Sequence, residues 1–266
     1  MANSFERIGR SVIEGVEYLG GLTIQFGRGA VGVTRLNPWR ASPLRWKTTV
    51  RQAAIVGVEA LPVVCLIAGF VGLIMALQGA YELKKLGALH YVVSLVGVSI
   101  TRELGPLMTA IIVVGRSGSS FAAEIGTMSV TEEVDALRVM ALEPVDFLLV
   151  PKFVAMIVMM PCLTIAADTA GILGGAVFTW ASLGMGLRTY LSTTVEVLLL
   201  RDIVTGLIKS LAFGMIIVQV GCYEGFKVRG GPEGVGRATT KAVVQSIFLI
   251  IVADLAFTAF FYVFWS

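Results

Sequence analysis

Apolar residues run along the chain in five long blocks, each near the length of about 20 residues that a helix needs to cross a bilayer. The first is Ala53 to Leu77, interrupted by Glu59 and Pro62. The second runs from Tyr91 to Val114 and contains Arg102-Glu103-Leu104-Gly105-Pro106. A third, from Phe153 past Asp168 to Leu183, is long for one crossing and reads as either a tilted helix or a broken pair. The fourth, Ile203 to Tyr223, holds Lys209, and the fifth, Ala242 to Trp265, holds Asp254. This pattern predicts an all-α integral membrane protein with about five transmembrane helices.

Ahead of the first block the period changes. Phe5, Ile8, Val12, Val16, Leu19, Leu22 and Phe26 recur three or four residues apart, with Glu6, Arg7, Arg10, Glu14 and Glu17 elsewhere on the wheel. Such a stripe predicts an amphipathic helix lying in the membrane interface, a small soluble element being the other reading. Asn37-Pro38-Trp39 then breaks the helix, and Trp39 and Trp46 with Arg40, Arg45 and Lys47 form an interfacial anchor. Residues 1–50 are therefore set apart from a transmembrane domain at 51–266.

Between the second and third blocks, Ser129-Val130-Thr131-Glu132 has the spacing of a capping box, predicting a short helix that stops by Pro144. Val134, Leu137 and Ala141 line one face of it, and Glu132, Glu133 and Asp135 suit the positive end of its dipole. A stiff helix too short to span is a handle for a soluble partner, or simply a solvated connection. Upstream, Gly115-Arg116-Ser117-Gly118-Ser119-Ser120-Phe121-Ala122-Ala123-Glu124 is rich in small residues. The pattern GxxxxGK[ST] is absent, so close helix packing explains the stretch better than a phosphate loop.

Composition narrows the picture. Of 266 residues 56% are hydrophobic and 15% charged, so lipid is the solvent for most of the chain. A net charge of +3 with no basic tract gives no sign of nucleic acid binding. One histidine and three dispersed cysteines (Cys65, Cys162, Cys222) form neither a metal site nor a disulfide framework. Neither metal nor cofactor is expected in the chain. No cleavable signal peptide is expected, because Glu6, Glu14 and Glu17 interrupt the start. Lys and Arg number fifteen in residues 1–52 and in the second-to-third and fourth-to-fifth connections, against Lys84, Lys85, Arg188 and Arg201 on the other side. The excess of cations predicts a cytoplasmic N-terminus and, with five spans, an external C-terminus at Ser266.

Charges inside spans are the candidate chemistry. Each disfavours insertion by about 2.5–3.5 kcal/mol at a helix centre, so Arg102, Glu103, Asp168, Lys209 and Asp254 need partners or a wet cavity. Asp168 and Asp254 could neutralise Arg102 and Lys209. Arg102 and Glu103, being adjacent, point about 100° apart and cannot share one partner. Gly69, Gly72, Gly171, Gly174 and Gly175 permit close backbone approach. Five spans are few to enclose a pathway, which favours a homodimer with a cavity on its two-fold axis.

These features resemble the MlaE/YrbE family of permeases in ATP-binding cassette (ABC) lipid transporters. The resemblance rests on Leu77-Gln78-Gly79, Arg102 to Pro106, Gly115-Arg116 through Ala123-Glu124-Ile125-Gly126, Thr131-Glu132-Glu133, Ile208-Lys209-Ser210 and Arg237-Ala238-Thr239-Thr240. It implies a homodimeric permease in a bacterial inner membrane, with ATP and magnesium bound by a separate ATPase subunit. A STAS-domain subunit and a periplasmic hexameric MCE-domain protein are further implied partners. Phospholipid is the implied cargo and outer-membrane lipid asymmetry the implied purpose. Carried over by motif, Gln78, Tyr81, Arg102, Glu103 and Lys209 are the implied lipid contacts. Glu132, Glu133, Val134, Leu137 and Arg138 belong to the implied coupling helix that meets the ATPase. An ion-coupled transporter using Asp168 or Asp254 is the competing reading, and it lacks the internal repeats such folds show. A lipid-modifying membrane enzyme is disfavoured by the absence of clustered histidines or metal-ligand spacing.

Overall fold

Long apolar runs with no water to bond their backbones must satisfy those bonds internally, and here every run is a helix. A computed structural model describes residues 13, 16–18, 20–27, 29 and 43–264, and among them there is no strand. After the helical N-terminal residues, seven helical segments follow in order among the described residues. They are α1 (Trp46–Lys85), α2 (Leu89–Val130), α3 (Glu133–Val139), α4 (Val145–Leu183), α5 (Leu187–Val197), α6 (Leu200–Phe226) and α7 (Gly231–Phe264). Five of them, α1, α2, α4, α6 and α7, are long and apolar enough to span.

In α1 the interruption by Glu59 and Pro62 is a change of winding. A π-helical turn at Ala54–Val58 and a turn at Glu59-Ala60 precede Leu61–Lys85, where Pro62 sits in the first turn and needs no N–H partner. The predicted glycines join α1 to α4. A Cβ on Gly72 would overlap the Gly171 backbone, and one on Gly174 would overlap Gly69, so the two helices touch main chain to main chain.

The second span is longer than expected. It continues through the small-residue stretch to Val130, 42 residues or about 60 Å, twice the roughly 30 Å hydrocarbon core. Gly115 to Glu124 is therefore helix, with π-helical turns at Ile100–Leu104 and Val114–Gly118. Its small residues serve packing, as expected: a Cβ on Gly221 of α6 would come within 2.9 Å of the Gly118 carbonyl, and one on Gly225 within 2.8 Å of Ile125.

The predicted capping box does not form. Ser129 is still inside α2, and the chain turns at Thr131 and Glu132, whose left-handed backbone (φ +62°) starts α3 without a side-chain cap. Thr131 instead donates to the Thr127 carbonyl and the Glu133 carboxylate, both at 3.1 Å. Ala141 is also left-handed (φ +57°), so α3 is bracketed by two reversals.

The third block is one helix, α4, which runs through Pro161 to Gly184, where a positive φ of +67° ends it. Between α4 and α6 lies α5, which the hydrophobic pattern did not announce. Tyr190 of α5 is fully buried between Val93 and Ala176, over Gly175, and burial pushes its phenol up to about 12. The core below is continuous, from Val64 through Phe121, Ile125, Met156 and Leu163 to Phe213 and Ile250. Least covered of the spans is α7, with Phe248 and Leu255 65% and 72% exposed.

At the N-terminal end the described residues are helical. Ile13, Val16 and Ile24 are exposed, as a lipid-facing side requires, whereas Tyr18, Gly21, Gln25 and Gly29 form a stripe toward the bundle. Gly21 abuts the Tyr223 ring and Gly29 abuts Leu149. The expectations for Phe5, Ile8, Val12, Leu19, the Asn37-Pro38-Trp39 break and Ser266 lie outside the described residues.

Candidate functional site

Pro106 carries no N–H, so it cannot bond the carbonyl one turn back, and the helix before it widens into the π turn Ile100–Leu104. The Thr101 hydroxyl donates to the Gly97 carbonyl at 2.9 Å within this turn. On α6, Gly206 lies against the Thr101 carbonyl, where any Cβ would overlap it. The widened turn and the glycine together bring α2 and α6 close enough for their charges to meet.

Lys209 is the centre, with its side chain 1% exposed. Its ammonium donates to Asp254 Oδ1 at 2.8 Å, to Thr258 Oγ1 at 2.8 Å, and to Glu103 Oε2. Three donors thus find three acceptors on two other spans, so the buried ion is satisfied. Thr258 in turn donates to Glu103 Oε1 at 3.2 Å. Glu103 is 37% exposed at its side chain, so the cluster opens on one side.

Arg102 diverges from Glu103, as adjacency requires. Its guanidinium faces Asp202 Oδ1 at 3.8 Å, and Asp202 Oδ2 also accepts the Leu199 N–H at 3.1 Å at the start of α6. Of the two acids expected to neutralise the two bases, Asp254 pairs with Lys209, and Arg102 is met by Asp202 rather than Asp168. Among the described residues Asp168, 8% exposed, makes no ion pair; its Oδ1 has no partner there and lies against Gly105, where a Cβ would overlap it. Asp202 and Thr258 completed the cluster unseen. Asp202 stands just outside the apolar block beside Arg201, and Thr258 has no charge to mark it.

Gln78 and Tyr81 are not brought to this cluster within one chain. Both are exposed on α1, where the Lys85 ammonium sits over the Tyr81 ring at 4.1 Å. Residues of α3 divide in two. Val134 and Leu137 are buried in the bundle core and hold the helix down, while Glu132, Glu133, Val139 and Met140 face outward. Arg138 pairs with Asp135 at 2.8 Å.

A second layer of ions lies at the α3 end. Lys152, 2% exposed, donates to Glu124 at 2.7 Å, and Lys241 of α7 reaches the buried Glu224 of α6 at 3.1 Å. Tyr18 meets Tyr223 edge to face at 5.2 Å, and burial, with Glu224 nearby, raises its phenol pKa. Among the described residues no group of His, Cys, Asp or Glu could hold a metal, and the three cysteines are free.

A five-span helical bundle with a satisfied ion cluster, open on one side, is compatible with a membrane permease. Comparison with known proteins agrees. The family model described as Permease MlaE matches residues 49–260. A probable ABC transporter permease protein of Rickettsia typhi is 40% identical over 216 residues, 81% of this chain and 83% of that one. A probable ABC transporter permease protein of Synechocystis is 39% identical over 208 residues, 78% and 79% of the two chains. The chloroplastic protein trigalactosyldiacylglycerol 1 of Arabidopsis thaliana is 36% identical over 219 residues, 82% of this chain and 63% of that one. The chain belongs to the MlaE permease family. Membership in an ABC transporter permease family favours that reading over the ion-coupled one.

Proposed function

We propose that this chain is the membrane subunit of an ABC transporter that moves phospholipid between a bacterial inner membrane and a periplasmic MCE-domain carrier, maintaining outer-membrane lipid asymmetry. The observation that carries the reading is the Lys209 cluster, a charged group of two acids and one base among apolar spans with one open side. Ions of both signs there, with Arg102 half-exposed beside them, complement a headgroup that carries a phosphate and an ammonium. The Arabidopsis relative is named after a galactolipid, which supports an amphipathic lipid as cargo.

In this reading two copies join, and Gln78 and Tyr81 of one copy complete the lipid site of the other. The exposed apolar side of α7 supports such pairing, because its large residues have no cover from the described residues of one chain. ATP is hydrolysed by a separate ATPase subunit that docks on α3 from the cytoplasm, with a STAS-domain subunit beside it. The N-terminus is cytoplasmic and the C-terminus periplasmic. Val139 and Met140, 88% and 61% exposed beside Glu132 and Glu133, offer the ATPase an apolar contact rimmed by acid.

The test is purification of the complex from its native membrane, followed by lipid mass spectrometry and subunit identification. Phospholipid bound to the wild type and reduced severalfold in Arg102→Ala and Glu103→Gln supports the reading. Wild-type lipid retention in both variants, or a chain that purifies without an ATPase, would remove it.

A further inference from the structure

A cavity of about 340 Å³ lies between the N-terminal helix, α6 and α7, within the size range of small-ligand sites, about 300–1,000 Å³. Leu22 and Phe26, Met215 and Ile216, and Leu249 and Phe257 wall it from the three sides. The described lining holds no charged side chain. Two polar residues interrupt it, Thr23 and Gln219. Gln219 is 5% exposed, and among the described residues neither its side-chain oxygen nor its side-chain nitrogen has a hydrogen-bond partner.

A buried amide with both ends unmet is strongly disfavoured, most of all inside a membrane span, where bulk water cannot relieve it. The Gln219 side chain asks for one acceptor and one donor at the same place. A protonated carboxyl supplies both, its carbonyl taking the amide N–H and its O–H giving to the amide oxygen. A hydroxyl does the same through a single atom. A phosphate headgroup fits poorly, since it donates nothing when ionised and finds no cation in the described lining.

We propose that this cavity is a second lipid site, distinct from the Lys209 cluster, which takes an apolar chain ending in a hydroxyl or a protonated carboxyl held by Gln219. The apolar walls receive the hydrocarbon, and Gln219, toward the Phe226 end of α6, receives the polar end. The lipid fills the space between the N-terminal helix and the α6–α7 pair, so it also supports the seat of that helix. The site does not depend on the transport reading, because nothing in the Lys209 cluster takes part in it.

The test uses the full chain in phosphatidylcholine nanodiscs and two photoactivatable probes, a diazirine palmitic acid and the matching hexadecanol. Crosslinks are mapped by peptide mass spectrometry, and a phosphatidylcholine bearing the same diazirine chain serves as the charged-headgroup control. Labelling of peptides containing Met215 or Leu249 by either free probe, with a tenfold loss in Gln219→Leu and in Ala212→Phe, is the expected result. Labelling by the acid alone identifies a free fatty acid as the source, and by the alcohol alone a hydroxyl-bearing lipid. The proposal is overturned by equal labelling of wild type and Gln219→Leu, which marks apolar partitioning only. Equal labelling by the phosphatidylcholine probe overturns it too, as does no labelling by either free probe, which leaves Gln219 to a buried water. Thermal unfolding of both variants in the same nanodiscs checks that they fold. Should Gln219→Leu fail this check, Ala212→Phe carries the test alone.

Discussion

The Lys209 ammonium donates to the Asp254 carboxylate at 2.8 Å, joining α6 to α7 through a lysine side chain that is 1% exposed. Removing one partner of a buried pair leaves the other uncompensated. Lys209→Met is expected to lower stability by on the order of 3 kcal/mol, and the double variant Lys209→Met/Asp254→Asn to recover part of that loss, because Glu103 still lacks its cation. Thermal unfolding in detergent measures it. A double variant as unstable as the sum of its singles would show that the pair does not act as a unit.

The α1–α4 seam makes a sharper prediction, because it tolerates no added atom. Gly72→Ala would put a methyl on the Gly171 carbonyl, and the helices must separate or the chain destabilise by about 1–3 kcal/mol. Gly115→Ala, where an added Cβ meets nothing within 4 Å, is the control and should be neutral or stabilising. Folded yield and melting temperature of the two variants distinguish them.

Strain at the ends of α3 is open to relief. Ala141 adopts a left-handed backbone (φ +57°) that disfavours a side chain by about 1–2 kcal/mol. Ala141→Gly is expected to raise stability by up to about 1 kcal/mol, because glycine's greater unfolded-state freedom offsets part of the relief. If ATPase association measured on the same protein falls as stability rises, the strain serves to aim α3.

Tyr190 gives a pH dependence. Its phenol is raised from 10.0 to about 12 by burial, so the folded state keeps a proton that the unfolded chain gives up. Stability from this group is present below pH 10 and is lost as pH rises toward 12. The melting temperature of the wild type should therefore fall more steeply across that interval than that of Tyr190→Phe. Parallel curves would assign the alkaline loss to other groups. Since the buried hydroxyl has no partner, the phenylalanine variant should be at least as stable near neutrality.

How far the sequence could be read follows from which interactions leave a local trace. The spans are visible because lipid imposes apolar length, and Lys209 and Asp254 because ions stand out in such runs. Gly115 to Glu124 resembled a connection, since glycine and serine favour turns in water. Within this bundle the same residues are helical, and Gly118 among them faces Ile217 of α6 closely. Ser129 and Glu132 had capping spacing, but α2 runs through Ser129 and the reversal falls at Glu132. Asp202, Glu224 and Lys241 were passed over because each lies at the edge of a block, where charge is ordinary. Their roles arise from where α6 and α7 cross, which no local pattern encodes.

That crossing has an orientation. Near one end α6 supplies the cation and α7 the acid, Lys209 with Asp254; near the other α6 supplies the acid and α7 the cation, Glu224 with Lys241. The two links work as a keyed joint with a single admissible offset. Sliding one helix by a turn, about 5.4 Å, would break both at once and leave four charges without their partners. The pair is therefore a strut rather than a piston: a push delivered to α7 beside Lys241 is passed to α6 through both links, and the two helices move together.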